Sequence, residues 1–120
     1  MREEDLTLQI LNMIRAHGLP AWRTHDTRHH PVEEGIADIN AVLPGGVIFA
    51  CEVKKPGGST NRLRESKQED WLRRVADQGG AVCKVTSLEG AREALEMALA
   101  SCAQNVSGRG NSVTRTSRGG

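Results

Sequence analysis

The sequence predicts an α/β domain with the element order αβββαβα, in which helices flank a mixed central sheet. Three observations support this prediction: an apolar repeat at helical spacing near the N-terminus, two strand-like segments joined by Pro44-Gly45-Gly46, and two later helical segments separated by one short strand. A hairpin followed by a helix and a further strand is typical of a mixed sheet with helices on its faces. The length of 120 residues suits one such domain, expected over residues 1–103, and a tail.

The first half of the chain carries one helix and three strands. Apolar residues recur every three or four positions from Leu6 to Ile14, and Gly18-Leu19-Pro20 then ends the helix. Pro44-Gly45-Gly46 is favourable turn chemistry, so the apolar segments on either side of it form a hairpin. The elements expected here are a helix over 3–17, a strand over 21–24, a polar loop over 25–34, and strands over 36–42 and 47–54.

The second half alternates helix and strand. Ser66 with Glu69, and Thr86 with Glu89, have the spacing of capping boxes, which predicts a helix start at the serine and at the threonine. Gly79-Gly80 ends the first of these two helices. The elements expected here are a loop over 55–61, a helix over 66–78, a strand over 81–85, a helix to about residue 101, and a disordered basic tail over 104–120.

Composition narrows the class of protein. No apolar run approaches the roughly 20 residues of a membrane-spanning helix, and the acidic start Met1-Arg2-Glu3-Glu4-Asp5 lacks the features of a signal peptide. The 3 cysteines (Cys51, Cys83 and Cys102) form no Cys-x-x-Cys pair, which argues against a disulfide scaffold or a zinc ribbon. We therefore expect a cytoplasmic protein with free thiols and no membrane partner.

Basic residues are concentrated in one part of the chain, although the net charge is only +1. Between Lys54 and Arg74, seven basic residues stand against three acidic ones. The tail adds Arg109, Arg115 and Arg118 with no acidic residue. Such clusters are the footprint expected of phosphate binding, and a solvated helix face is the alternative.

The hairpin is predicted to bring three charged side chains onto one face of the sheet. Strand residues alternate faces, so Glu52 and Lys54 emerge together, while the opposite face of their strand is apolar and should meet a helix. With a three-residue turn, Leu43 faces Val47 and Asp38 falls opposite Glu52. The Cβ atoms of the two acidic residues would then lie about 5 Å apart.

This arrangement has the chemistry of a cation site. Two carboxylates so close repel each other, and a divalent cation between them would turn that repulsion into binding. Lys54 lies one step further on the same face, where it could hold a nucleophilic water and offset charge in a phosphoryl transition state. A one-residue slip in register would send Asp38 to the other face of the sheet. The alternative to a cation site is an exposed cross-strand salt bridge among these three side chains.

A glutamine in the predicted second helix belongs to the same region. Gln68 shares a helix face with Leu72 and Val75, so it should point at the sheet near the end of Lys54's strand. There it could contact a phosphate or a metal-bound water. A solvated glutamine near the helix start is the alternative.

Three motifs follow one another in the order of these elements: Gly35-Ile36-Ala37-Asp38, then Glu52-Val53-Lys54, then Ser66-Lys67-Gln68 followed by Trp71 and Gly79-Gly80. In order and spacing they resemble the VRR-NUC domain of the PD-(D/E)XK, or restriction-endonuclease-like, nuclease superfamily. The resemblance covers about residues 3–98 and implies a restriction-endonuclease-like core. Ala37 precedes Asp38 where many superfamily members have proline, a departure that the superfamily tolerates.

The resemblance implies a Mg²⁺- or Mn²⁺-dependent deoxyribonuclease that hydrolyses phosphodiester bonds. Branched DNA such as a Holliday junction is the expected substrate, and small members of this type can act as homodimers. The implied catalytic residues are Asp38, Glu52, Lys54 and Gln68. The implied metal ligands are Asp38, Glu52, the carbonyl of Val53, and a glutamate at the start of the first helix, best matched by Glu3 with Glu4 as the alternative.

The basic segment would then contact the DNA backbone away from the scissile bond. Nothing in the sequence is suited to reading base edges, so we expect selectivity for DNA structure rather than for sequence. The candidate DNA-binding residues are Lys55, Arg62, Arg64, Lys67, Arg73 and Arg74.

Three other interpretations compete with this one. The first is a non-catalytic nucleic-acid-binding or assembly subunit with a nuclease-like fold. The second is a metal site in the loop that carries His25, Asp26, His29 and His30, which the lack of a helical pattern there disfavours. The third is a redox role for Cys51 and Cys83, which lie in apolar strand contexts.

Overall fold

The computed structural model describes residues 2–24, 35–55 and 62–109, without the side chains of Arg64 and of residues 105–109. Its elements follow the predicted order αβββαβα, and a 3-10 turn over Pro44–Gly46 joins the second and third strands. The helices are α1 (Glu3–Ala16), α2 (Arg62–Asp77) and α3 (Leu88–Arg109), and the strands are β1 (Ala21–Arg23), β2 (Ile39–Leu43), β3 (Val47–Val53) and β4 (Ala81–Val85).

The four strands form one mixed sheet in the order β1-β2-β3-β4. The first three strands are antiparallel neighbours, and β4 returns to pair with β3 in parallel after α2 crosses over. Leu43 lies opposite Val47 and Ile39 opposite Cys51, which confirms the predicted register of the hairpin. Gly45 has a φ of +83°, in the left-handed region where glycine is unstrained, so the turn chemistry sets this register.

Helices cover both faces of the sheet. One face packs against α1 and α3, and its apolar β3 residues join their side chains in the main core, as the alternation of β3 predicts. The other face packs against α2 through a smaller cluster. Its buried members are Ala37, Ala50 and Leu72, and Ile48, Trp71 and Val75 pack against them. Because two of these residues are alanines, α2 lies close to the face that carries the charged end of β3.

Two helix starts differ from the predictions. The second helix begins at Arg62, so Ser66 lies inside it and does not cap it. The residues from Arg62 to Glu65 favour helix, which places the start of the helix four residues upstream of Ser66. The third helix is capped by Ser87 rather than by Thr86, because the Ser87 Oγ accepts the N–H of Gly90 at 2.9 Å.

Two further boundaries differ. Strand β2 begins at Ile39 rather than at residue 36, because the backbone N–H of Asp38 donates to the side chain of Glu52 and not to a strand carbonyl. Helix α3 continues to Arg109, where the sequence predicted disorder from residue 104. Cys102, buried in the core, anchors the last turns. The rest of the predicted tail, and the loop that carries His25, Asp26, His29 and His30, lie outside the described residues.

Within the described ranges, no helix combines the length and the apolar character needed to cross a membrane.

Candidate active site

The predicted carboxylate pair is held by two hydrogen bonds at the open end of the hairpin. The backbone N–H of Asp38 donates to Glu52 Oε1 at 3.2 Å, and the backbone N–H of Val53 donates to Asp38 Oδ2 at 2.9 Å. Each carboxylate therefore binds the backbone of the opposite strand. This exchange places both acidic side chains on the α2 face, as the register predicts.

Glu52 is a buried acidic side chain with a strongly shifted pKa. Its side chain is 2% exposed. Burial, and then repulsion from the Asp38 carboxylate, raise the pKa of Glu52 to about 7, although Lys54 and the N–H of Asp38 counteract the shift. A carboxylate in this position stays partly protonated near neutral pH when no cation accompanies it.

Lys54 and Gln68 meet above this carboxylate. The Lys54 Nζ donates to Gln68 Oε1 at 2.8 Å and lies 3.4 Å from Glu52 Oε2. Gln68 is 3% exposed, so α2 points it into the sheet as the helical spacing predicts. The Gln68 side-chain oxygen accepts a hydrogen bond from the Lys54 ammonium group, and this bond fixes the position of the positive charge.

Glu3 and Glu4 at the start of α1 face different partners. The Glu3 Oε2 accepts the backbone N–H of Lys55 at 3.2 Å, directly after the end of β3. Glu4 instead approaches Arg23 on β1, with 4.0 Å between Oε1 and a guanidinium nitrogen. Of the two alternatives, the geometry favours Glu3 as the acid nearest the site.

The donor set suits a small divalent cation. Two carboxylates lie together here beside the Lys54 ammonium group, and a divalent cation would relieve the repulsion between them. Among the described residues, no three His, Cys, Asp or Glu side chains converge closely enough to hold an ion by themselves. Mg²⁺ is typically bound by one or two carboxylates, with water and phosphate oxygens as its other ligands, so Asp38 and Glu52 fit it.

The predicted DNA-contacting residues mostly lie on the surface of α2. Arg73 pairs with Asp70, and Arg74 lies 3.9 Å from the same carboxylate. Such exposed pairs within one helix are weak, so a phosphate can replace Asp70 as the partner of either arginine. Lys55 and Arg62 are also exposed, Lys67 is half-buried, and the side chain of Arg64 lies outside the described set.

The structure adds one cation that the sequence analysis did not consider for this site. Lys84 on β4 lies directly opposite Glu52 in the parallel ladder, on the same face of the sheet, and is exposed. The pairing of β4 depends on the α2 crossover, so no local pattern in the sequence could place it.

The redox interpretation gains little from the geometry. Cys51 and Cys83 are register partners on β3 and β4, and both are free thiols. The Cys51 thiol donates a hydrogen bond to Cys83, and this bond, followed by burial, raises the pKa of Cys51 and keeps it protonated. The same bond lowers the pKa of Cys83.

Gly35 seats the segment that leads to Asp38 against α2. Its φ is +86°, and a Cβ on this residue would lie 2.3 Å from the Lys67 carbonyl oxygen. Gln68 follows directly in the same turn of the helix. The glycine of the first motif therefore sets the distance between the carboxylate pair and the helix that carries Gln68.

Replacing Gly35 with alanine is expected to destabilise the protein more than replacing Gly18, since Gly18 has a similar φ of +80° but nothing within 4 Å of its Cβ position. The strained φ alone costs about 1–2 kcal/mol. Gly35→Ala adds a backbone clash to this strain. Thermal unfolding of both variants measures the difference, and equal losses would show that the close approach contributes nothing.

Comparison with known proteins agrees with the fold. A scan against known protein families finds no match, and a search of curated proteins also finds none. A search of solved structures finds, among its matches, a chain described as a VRR_NUC domain. It is 21% identical to this chain, with a TM-score of 0.58, and the match covers 78% of this chain and 94% of that chain. This chain therefore has the fold of a VRR_NUC domain, as its motifs predict.

Proposed function

We propose that this chain is a metal-dependent DNA endonuclease whose active site consists of Asp38, Glu52, Lys54 and Gln68. The observation that carries the proposal is the buried carboxylate of Glu52, which lies beside a second carboxylate and has a pKa raised to about 7. Strongly shifted groups of this kind cluster at functional sites. The VRR_NUC fold supports the reaction class, hydrolysis of a phosphodiester bond.

The metal ligands we propose are Asp38, Glu52 and the carbonyl of Val53, with Glu3 at the edge of the site. When bound, Mg²⁺ or Mn²⁺ would polarise a phosphate oxygen and lower the pKa of a water molecule. Backbone N–H groups donate hydrogen bonds to the carboxylates of Asp38 and Glu52, and these bonds already orient both side chains for metal binding.

Lys54 would orient the attacking water. An ammonium group has three N–H donors, and the contacts with Gln68 and Glu52 engage two of them. The third can hold the water in line with the scissile bond, and the charge offsets the developing negative charge on the phosphate. Gln68 acts as a positioning residue that keeps the ammonium group over the site. By the resemblance to the PD-(D/E)XK superfamily, cleavage would leave 5′-phosphate and 3′-hydroxyl ends.

The substrate we propose is branched DNA such as a Holliday junction, cut by a homodimer. The exposed basic residues of α2 lie beside the site and suit contacts with phosphates of any sequence.

A cleavage assay tests the function. Labelled flaps, forks, four-way junctions and linear duplexes are incubated with the protein in Mg²⁺, in Mn²⁺ and in EDTA. We expect cleavage of branched substrates with either ion, none in EDTA, and none by Asp38→Asn with Mg²⁺. Binding of these substrates without cleavage in both metals would instead favour a non-catalytic nucleic-acid-binding subunit.

Metal binding should depend on pH through Glu52. Because the pKa of Glu52 is about 7 without metal, a cation must displace a proton at lower pH but not at higher pH. The apparent affinity for Mn²⁺ at pH 6 is therefore expected to be about tenfold lower than at pH 8. Calorimetric titration at the two pH values measures this ratio, and equal affinities would contradict the role of Glu52 as a ligand.

A further inference from the structure

We infer that a cleft next to the carboxylate pair binds one unpaired nucleobase of the DNA strand. The inference rests on the proposed function, because it describes how the substrate of that site is held. It departs from the expectation that the protein contacts only the DNA backbone, since the base is held by its flat face. Such contact adds selectivity for unpaired nucleotides and not for a particular base sequence.

The cleft has a volume of about 970 Å³ and opens between the sheet and the C-terminal half of α2. Both tryptophans of the chain line it, Trp22 from β1 and Trp71 from α2. Trp22 is 45% exposed, so part of its aromatic side chain is accessible to a ligand. Aromatic faces of this kind stack on nucleobases, and the contact tolerates every base because each has a π-face.

The floor of the cleft includes an incompletely bonded amide. Asn40 lines the cleft and is 4% exposed. Its Nδ2 donates to the Ala37 carbonyl at 3.3 Å, and a carbonyl can only accept, so the orientation of the amide is set. Among the described residues, the buried Oδ1 has no hydrogen-bond partner. A buried acceptor without a donor is uncommon in folded proteins, and it favours a ligand that brings polar groups, as a nucleobase does.

The cleft lies on the same face of the sheet as the proposed active site. Trp22 is the register partner of Asn40, and Asn40 follows Asp38, the residue directly before β2, by two positions. Two residues of extended chain span about 7 Å, which is comparable with the length of one nucleotide. A strand whose phosphate lies at Asp38 and Glu52 can therefore place an adjacent base in the cleft.

The rim of the cleft carries charged side chains, which suit a polar ligand more than a neutral apolar one. Arg74 lines the cleft, and its pairing with Asp70 at 3.9 Å is exposed and readily exchanged for a phosphate. Asp77 also lines the cleft and lies 3.9 Å from Arg73, so the charges at the rim are of both signs.

Intrinsic fluorescence tests the inference directly, because the only two tryptophans both line the cleft. The chain carrying Lys54→Ala, to prevent cleavage, and Trp71→Phe reports on Trp22 alone. It is titrated in Mg²⁺ with a blunt duplex, with a fork that has single-stranded arms, with the same fork carrying abasic sites in its arms, and with a mononucleotide. We expect quenching by the intact fork and little by the other three.

Affinity gives a second readout. In the Lys54→Ala background with both tryptophans otherwise intact, adding Trp22→Ala should weaken binding of the intact fork roughly 5- to 150-fold, the usual range for loss of one base–aromatic stack. Binding of the blunt duplex should not change. Trp22→Phe should retain most of the affinity. Met97→Ala, which removes a 76% exposed side chain from α3, serves as the matched control.

The possible outcomes separate this inference from the proposed function. Equal quenching and affinity for the intact and abasic forks, or a mononucleotide that quenches as well as the fork, would overturn the inference even if the wild-type chain cuts DNA. Quenching by the intact fork alone, in a chain that never cuts DNA, would support the nucleobase cleft and reject the nuclease.

Discussion

Replacing Glu52 with glutamine is expected to stabilise the metal-free protein at pH 8 and to abolish metal-dependent cleavage. The pKa of Glu52 rises from 4.5 to about 7 on folding, so the ionised form is disfavoured in the native state. The cost is absent below pH 4.5, grows between pH 4.5 and 7, and is complete above pH 7. A shift of this size corresponds to about 3 kcal/mol, which glutamine does not incur because it has no charge to bury.

Thermal unfolding of the metal-free wild type and Glu52→Gln at pH 4 and pH 8 measures this effect. The variant should be more stable at pH 8, with the advantage disappearing at pH 4. Glu96→Gln, a change at an exposed position on α3, is the matched control and should alter stability little at either pH. A Glu52→Gln protein that is less stable than the wild type at pH 8 would show that the carboxylate is not a strained group in the metal-free state.

Replacing Lys54 with methionine is expected to reduce the rate of DNA cleavage by roughly 100- to 1000-fold, the usual effect of removing one charge-stabilising donor from an active site. Methionine keeps the length of the side chain but provides no N–H for water or phosphate. Gln68 and Glu52 then lose the ammonium group that lies 2.8 and 3.4 Å from their oxygens. Affinity for DNA should change far less than the rate.

Single-turnover cleavage and filter binding, measured on the same branched substrate, separate the two effects. Arg92→Met is the matched control, since Arg92 is a cation on α3, on the opposite face of the sheet, and pairs with the neighbouring Glu89 side chain at 2.6 Å. A Lys54→Met protein that loses affinity and rate by the same factor would assign Lys54 to DNA binding instead of catalysis.

The parts of the site that depend on local chain geometry were predictable from the sequence. Pro44-Gly45-Gly46 permits a tight turn, the turn sets the register, and the register brings Asp38 to Glu52. Helical spacing likewise predicted that Gln68 points at the sheet. Each of these inferences needs only a period or a turn, both of which residues close in the chain determine.

The parts that depend on contacts between distant segments were not predictable. Lys84 reaches the neighbourhood of Glu52 only because β4 pairs in parallel with β3, and Gly35 matters because it presses on the Lys67 carbonyl. The cleft lined by both tryptophans arises in the same way, because α2 packs against β3 and β4 and brings Trp71 to the face of the sheet that carries Trp22. Local patterns in the sequence do not indicate the tertiary contacts that bring these residues together.

The central claim is that a divalent cation binds between Asp38 and Glu52. A crystal soaked in Mn²⁺ at pH 8 and measured for anomalous scattering tests it most directly. An anomalous peak is expected within about 2.2 Å of carboxylate oxygens from both residues, and it should be lost in Glu52→Gln. A well-ordered site without a peak, or a peak bound elsewhere while the two carboxylates keep their hydrogen bonds unchanged, would contradict the claim.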